Sequence, residues 1–166
     1  MDFKKLIPDF NALKSVDWKK PALDTQNILA LVGLAAAALM VVFVFLPWFG
    51  IEFFVKVNRL GITLWYGIFG LIFGLAACAG SLYKQPSLTF CASAGGVLMG
   101  LLGMICYASL TYNGHTESAS DIKEALDDAS KWGMEINVNR IGAILYFIAA
   151  VASTAISYLA VSKKQE

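Results

Sequence analysis

Residues 141–162 have the sequence IGAILYFIAAVASTAISYLAVS, without one charged residue or histidine. A helix of roughly 20 apolar residues is long enough to cross the hydrocarbon core of a bilayer. Three more uncharged runs reach that length, namely Ile28 to Gly50, Leu60 to Tyr83 and Pro86 to Tyr112. The sequence therefore predicts an all-α membrane protein, a bundle of four transmembrane helices.

The composition of the 166-residue chain agrees with this prediction. It is 58% hydrophobic and 15% charged, and its net charge is +1, whereas a soluble domain carries about a quarter charged residues. The first apolar run is too long for the core of a cleaved signal peptide, so we expect a retained signal anchor. The charge pattern gives no indication of a nucleic-acid partner.

The distribution of basic residues predicts the orientation. The loops at 51–59 and 113–140 carry five basic residues and seven acids. Because lysine and arginine collect on the cytoplasmic side, the sequence predicts a multi-pass protein with both termini, including the tail 163–166, in the cytoplasm. The lysines on the predicted cytoplasmic side are Lys4, Lys5, Lys14, Lys19, Lys20, Lys84, Lys163 and Lys164.

Residues 1–26 have apolar side chains at helical spacing between Phe3 and Leu13. This pattern predicts a short amphipathic helix in the cytoplasmic interface, with a disordered tail as the alternative. Tryptophan is enriched at the headgroup level of membranes. We therefore predict Trp18, Trp48 and Trp65 as interfacial anchors.

The two outer loops share a motif. Residues 51–58 and 134–139 alternate between apolar and polar side chains, which predicts two strands. They continue as Val57-Asn58-Arg59-Leu60-Gly61 and as Val138-Asn139-Arg140-Ile141-Gly142. The sequence therefore predicts two helix–strand–helix repeats, related by a pseudo-two-fold axis along the membrane normal. Their strands are expected to pair antiparallel in a small two-stranded outer sheet.

A short outer helix is predicted inside the second outer loop. Ser118 is the expected N-cap, with Asp121 three residues later, and Gly133 is the expected end. The apolar stripe of this helix is Ile122, Leu126 and Ala129.

Glycines recur at intervals of three or four along the second and third runs. Such spacing lets helix backbones approach closely, and we expect packing within one chain rather than a dimer face. The glycines are Gly67, Gly70, Gly74, Gly96, Gly100 and Gly103.

The two Asn-Arg pairs are the candidate binding residues for a lipid headgroup or a partner protein. They are Asn58, Arg59, Asn139 and Arg140. Each guanidinium offers a bidentate fork for phosphate or carboxylate. Alternatively, each asparagine caps the following helix and each arginine satisfies loop carbonyls.

No catalytic, cofactor or metal site is predicted. His115 is the only histidine, and the three cysteines form no C-x-x-C pair. No ionisable residue lies within an apolar run, which argues against ion-coupled transport. We expect a non-enzymatic membrane scaffold or accessory subunit, whose partners are membrane lipids and a partner protein or a second copy. The alternative is a small oligomeric pore or carrier.

The segment Phe45-Leu46-Pro47-Trp48-Phe49, followed by the glycine-led second run, resembles small bacterial four-span membrane proteins of unassigned function. These proteins carry a Leu-Pro-Trp motif where the first span ends, and the resemblance implies a bacterial inner membrane. The topology is also similar to that of claudins. The two first-loop cysteines of claudins are missing here and the loop is shorter, so this second resemblance implies architecture only.

Overall fold

The computed structural model describes residues 7–8, 14–17, 28–52, 56–112, 115–131 and 136–163. The predicted amphipathic helix in residues 1–26, together with its Trp18 anchor, lies outside the described residues. The elements follow in the order α1 (Ile28–Phe43), β1 (Pro47–Glu52), β2 (Lys56–Leu60), a 3-10 turn (Gly61–Thr63), α2 (Trp65–Leu82), α3 (Pro86–Ile105), β3 (Leu110–Tyr112), β4 (His115–Glu117), α4 (Ala119–Lys131), β5 (Asn137–Asn139) and α5 (Ile141–Lys163).

Three of these helices are long and apolar enough to cross a membrane: α2, α3 and, over Ile141–Ser162, α5. Within each of them only 33% of the most apolar window is buried in protein. The outward face of α2 carries Ile68, Phe69 and Ile72. Because soluble proteins do not expose apolar patches of this size to water, these helices indicate a membrane protein. Helix α1 is also apolar, but it has 16 residues.

The helices α1, α2 and α3 are shorter than the apolar runs that predict them. α1 ends at Phe43 rather than Gly50, and α2 begins at Trp65 rather than Leu60. α3 ends at Ile105 rather than Tyr112. Proline cannot continue a helix in the first run, and the ends of all three runs belong to strands or turns. An apolar run indicates only that a segment is kept away from water. A strand packed at the end of the helix bundle meets that condition as well as a helix does.

The four apolar helices form a ring. Helix α1 packs against α2 and α5, and α3 packs against the same two helices. The connection between α2 and α3 is a tight turn at Tyr83–Gln85, where Lys84 adopts a left-handed backbone with φ of 54°. All the strands, and α4, come after the opposite ends of these helices. We call that opposite end of the bundle the sheet end.

The main sheet has three antiparallel strands in the order β2-β1-β5. The predicted single strand at 51–58 is wrong, since the chain reverses direction between Glu52 and Lys56. The predicted pairing between the two loops is present, because Ile51 lies opposite Val138. β3 and β4 form a separate two-stranded ladder.

The two copies of the Val-Asn-Arg motif flank β1 in the same register. Val57 and Val138 both lie opposite Ile51, and the asparagine after each valine lies opposite Gly50. β2 and β5 are both antiparallel to β1, so they run in the same direction. The central strand therefore brings the two distant motifs to equivalent positions.

Trp48 is the centre of the core at the sheet end. Its ring is 0% exposed, and its Nε1 donates a hydrogen bond to the Phe43 carbonyl oxygen at 2.8 Å. A Cβ at Gly61 or Gly142 would lie 2.7 or 2.8 Å from Trp48 Cδ1. The prediction of Trp48 as an interfacial anchor is wrong, because these close-packed segments enclose the ring in protein. Trp65 is 58% exposed, and its anchoring role stays a prediction.

The glycines of α2 and α3 bring neighbouring segments of the same chain close together. The Gly70 carbonyl oxygen accepts a hydrogen bond from the Tyr146 hydroxyl at 2.8 Å. A Cβ at Gly100 would lie 2.9 Å from Phe147 Cβ. The hydroxyl oxygens of Ser93 and Ser153 are 2.7 Å apart between α3 and α5. All six glycines that the sequence predicts to pack are buried, namely Gly67, Gly70, Gly74, Gly96, Gly100 and Gly103.

Candidate functional site

Both arginines of the sequence lie at the sheet end, on either side of Phe49 in β1. Arg59 is the ladder partner of Phe49 across the β1–β2 pair. The guanidinium carbon of Arg140 lies 5.7 Å from the centroid of the Phe49 ring. Since β2 and β5 flank the same strand, the sheet places two positive charges around one buried aromatic ring.

Arg59 is held by the chain segment that follows α3. Its Nε donates to the Ser109 carbonyl oxygen at 2.9 Å, and one terminal nitrogen lies 3.2 Å from Ser109 Oγ. A guanidinium has five N–H donors, so three remain after these two bonds. The predicted alternative, in which the arginine bonds to a loop carbonyl, is therefore correct for one donor of Arg59, and a second donor bonds to the Ser109 hydroxyl.

Arg140 is held by aromatic rings. Its guanidinium carbon lies 5.0 Å from the centroid of Tyr107 as well as 5.7 Å from that of Phe49. The Tyr107 ring packs edge-on against Phe49 at 5.9 Å. A cation–π contact uses none of the acceptor sites that an N–H group would bond to, so the N–H groups of Arg140 stay available to acceptors.

Neither charge is neutralised within the part of the chain that the structure describes. No described carboxylate pairs with Arg59 or Arg140. Both side chains are half-buried, so water screens them only in part. The result is a local excess of positive charge at the sheet end.

The two asparagines of the motif have different roles. Asn139 Oδ1 accepts a hydrogen bond from the Ile141 amide at 3.1 Å, which caps the start of α5 as the alternative predicts. Asn58 does not repeat this contact. The residues that cap the 3-10 turn and α2 are Leu60 and Leu64, which offer no side-chain acceptor. The capping interpretation is therefore correct for one copy and wrong for the other.

Tyr66 is a polar residue of this site that sequence reasoning does not find. It is 2% exposed, and within the described structure its hydroxyl is buried without a hydrogen-bond partner. The Trp48 ring stacks on the Tyr66 ring at 6.0 Å. The one feature of the sequence that could point to Tyr66 is its position in the first turn of α2, the helix that follows Arg59.

Helix α4 lies at the same end of the molecule. Ser118 Oγ accepts from the Asp121 amide at 3.2 Å, and the Ser118 amide donates to Asp121 Oδ2 at 3.3 Å. This capping box confirms the predicted N-cap. Ile122 is buried in the cluster that contains Trp48, and Leu126 packs against that cluster. With Ala129 also buried, the predicted apolar stripe is confirmed.

A cleft of about 710 Å³ lies between α4 and β5. Its apolar lining includes Leu126, Ile136 and Val138, and its acidic lining is Glu52 and Asp127. The cleft combines an apolar wall with carboxylates, whereas the Phe49 ring lies between cations. Tyr107 also lines the cleft, and its ring centroid lies 5.0 Å from the guanidinium carbon of Arg140. The cleft, which we call the acidic side of the sheet end, therefore adjoins the basic side, which is the arginine pair.

The described residues offer no cluster of three potential metal ligands. Cys78, Cys91 and Cys106 are not joined in disulfides, and all three are half-buried. His115 is placed in β4, where its backbone pairs with Tyr112. The described part of the site is therefore built from arginine, tyrosine, aromatic rings and, across the cleft, carboxylates.

Comparisons with known proteins give no relative from which a function could be transferred. The resemblance to small four-span bacterial proteins therefore stays an expectation drawn from the Leu-Pro-Trp segment. No family model matches this chain, and neither a curated protein nor a solved structure matches it.

Proposed function

We propose that the chain is a four-span, non-enzymatic scaffold or accessory subunit of a bacterial inner membrane. In this proposal both termini are cytoplasmic and the sheet end faces outward. It binds a partner protein through the cleft between α4 and β5. The observation that carries the proposal is α4. It is a capped amphipathic helix that packs against the core at the sheet end but is not one of the four helices of the ring.

Helix α1 is the fourth span in this proposal. Sixteen residues of helix rise about 24 Å, short of the roughly 30 Å hydrocarbon core. Its contacts with both α2 and α5 support a position inside the same apolar layer. The apolar turn after Phe43, which leads to Trp48, extends the apolar path towards the sheet.

Duplication of a helix–strand–helix unit accounts for the motif pair. Three features support it: the common register around Gly50, the matched contacts of Gly61 and Gly142 with Trp48, and the ring in which α1 and α3 have the same two neighbours. In this proposal β1 connects the two halves, because it pairs with the motif strand of each, β2 and β5.

The chemistry of the cleft favours a basic segment as the occupant. Asp127 and Glu52 provide negative charge beside the apolar side chains of Leu126 and Val138. Lysine and arginine have apolar stems and charged ends, so they match such a surface. Charge complementarity of this kind guides association and selects the partner.

The pore alternative receives no support from the interior of a single chain. Trp48 fills the bundle at the sheet end, and close contacts at Gly70 and Gly103 surround its ring. A pore would have to run between copies. Faster leakage of ions from vesicles that contain the purified protein than from empty vesicles would favour this alternative over a scaffold.

Photo-crosslinking in intact cells tests the proposed partner surface. A benzophenone amino acid at Ser130 on the cleft should give an adduct of defined mass, and one at Lys84 in the opposite turn should not give that adduct. The Asp127→Lys substitution should abolish the Ser130 adduct. Glu124→Lys, an exposed site on the same helix outside the cleft lining, serves as the matched control. Loss of the adduct in both variants, or no adduct at all, would contradict the proposal.

A further inference from the structure

Arg59 and Arg140 are half-buried charges that have no negative partner among the described residues. Arg59 bonds only to the neutral Ser109, and Arg140 meets only aromatic rings, among the described residues. A half-buried charge without a counter-charge is costly, because water no longer solvates it fully. Both side chains keep N–H donors that are free to bind an acceptor.

The Tyr66 hydroxyl supplies an independent observation at the same place. Buried polar groups in folded proteins nearly always have a partner. This hydroxyl is enclosed and has none in the described structure, and its ring stacks at 6.0 Å on Trp48, the residue that precedes Phe49 in β1. The Tyr66 O–H can donate one hydrogen bond, and the two guanidinium groups can donate several more. Such a set suits an oxyanion with several acceptor oxygens.

We propose that Arg59, Arg140 and Tyr66 form a binding site for a phosphate group, which is either part of a lipid headgroup or free in solution. Arg140 presents the N–H donors of a guanidinium that lies near the Tyr107 and Phe49 rings, and Arg59 presents the donors that Ser109 does not use. The phosphate enters from the side of the half-buried arginines, and one oxygen accepts the hydrogen bond from Tyr66.

The proposal concerns the basic side of the sheet end and deepens the proposed function. The proposal rests on the proposed function in one respect only, the depth of the site in the membrane. If the sheet end faces outward, the site lies at the level of the outer lipid headgroups. The phosphate chemistry itself follows from the three side chains. The crosslinking result at Ser130 and the binding result below can therefore fail independently.

Thermal melts of the purified full chain in a neutral detergent test the site. The probes are inorganic phosphate, with sodium chloride at matched ionic strength as control, and a water-soluble short-chain phosphatidylglycerol. One or both should raise the Tm saturably. Lysine keeps the charge but loses the fork, so Arg59→Lys and Arg140→Lys should each weaken the apparent Kd roughly tenfold or more. Lys123→Gln, a charge removed from the exposed face of α4, should leave the Kd unchanged.

Tyr66→Phe separates binding from structural support. Without a ligand, its Tm should equal or exceed that of the parent, because the substitution removes a buried hydroxyl that has no partner. With the phosphate probe, its apparent Kd should weaken. A purely structural tyrosine would not give this opposed pair of effects.

The outcomes assign the source of the phosphate or overturn the site. A response to the lipid alone identifies a headgroup, and a response to inorganic phosphate, with or without the lipid, identifies a phosphate site that does not require the lipid. A response to neither probe overturns the proposal. So does an equal response in the parent, Arg59→Lys, Arg140→Lys and Tyr66→Phe. A hexaglutamate peptide that raises the Tm where both phosphate probes fail would replace the phosphate with an acidic protein segment.

Discussion

At the scale of single residues, Trp48 connects segments from both halves of the chain at the sheet end. Its ring stacks with Tyr66 at 6.0 Å and packs against Tyr146 at 4.9 Å. Glycines of both motif copies meet its edge. Because the indole touches segments from both halves of the chain, we expect its loss to affect the whole fold.

Trp48→Ala should therefore lower the free energy of unfolding by about 3–5 kcal/mol, the cost of emptying a buried aromatic site. Trp65→Ala is the matched control, since Trp65 is 58% exposed and surface substitutions usually change stability by about 0.5 kcal/mol or less. The measurement is denaturant unfolding in detergent, followed by circular dichroism. Equal losses in the two variants would show that the indole of Trp48 is not the core residue that its burial indicates.

The sequence alone predicts the arginines as site residues but not what surrounds them. The motif repeats in the sequence, so Arg59 and Arg140 stand out without a structure. Tyr66 cannot be found in this way, because a missing hydrogen-bond partner is a property of three-dimensional packing. The burial of Trp48 depends on Gly142, which lies 94 positions later in the sequence. Long-range contact of this kind leaves no local pattern.

At the scale of elements, local signals predict α4 better than the ends of the spans. The cap at Ser118 and the apolar stripe of α4 depend on residues within four positions of each other, and the structure contains both. The segment Pro47–Glu52 is as apolar as a span for most of its length, yet it forms β1. Its conformation is decided by pairing with β2 and β5, and hydropathy does not contain that information.

Ser118→Ala should loosen α4 alone. Removal of an N-cap costs about 1 kcal/mol, which corresponds to roughly fivefold faster hydrogen exchange of amides that open with this helix. Exchange in α2, α3 and α5 should not change. Ser130→Ala, on the same helix but away from the cap, should leave the exchange of α4 unchanged or slow it, since alanine is the better helix former. Equally fast exchange in all four helices would mean that the cap supports the global fold.

At the scale of the whole molecule, the structure separates two unlike ends. The sheet end carries the three-stranded sheet, α4 and both arginines, whereas the other end has the tight turn that contains Lys84. The sequence predicts this separation, because both longer loops, 51–59 and 113–140, connect apolar runs at the same end, and the short turn with Lys84 lies at the other. Which end faces the cytoplasm depends on the bias of lysine and arginine during insertion.

The orientation can be measured with single cysteines in a chain whose Cys78, Cys91 and Cys106 are replaced by alanine. Eight lysines lie in the tails and the turn, against five basic residues in the outer loops. Positive charge resists translocation, so cysteines at Ser15 and Gln165 should stay unlabelled by a membrane-impermeant maleimide in intact cells. A cysteine at Ser120, which is exposed on α4, should react. Permeabilised cells provide the control, because all three positions should then label. Labelling of Ser15 or Gln165 in sealed cells would reverse the orientation, and it would place the phosphate site and the acidic cleft on the cytoplasmic side.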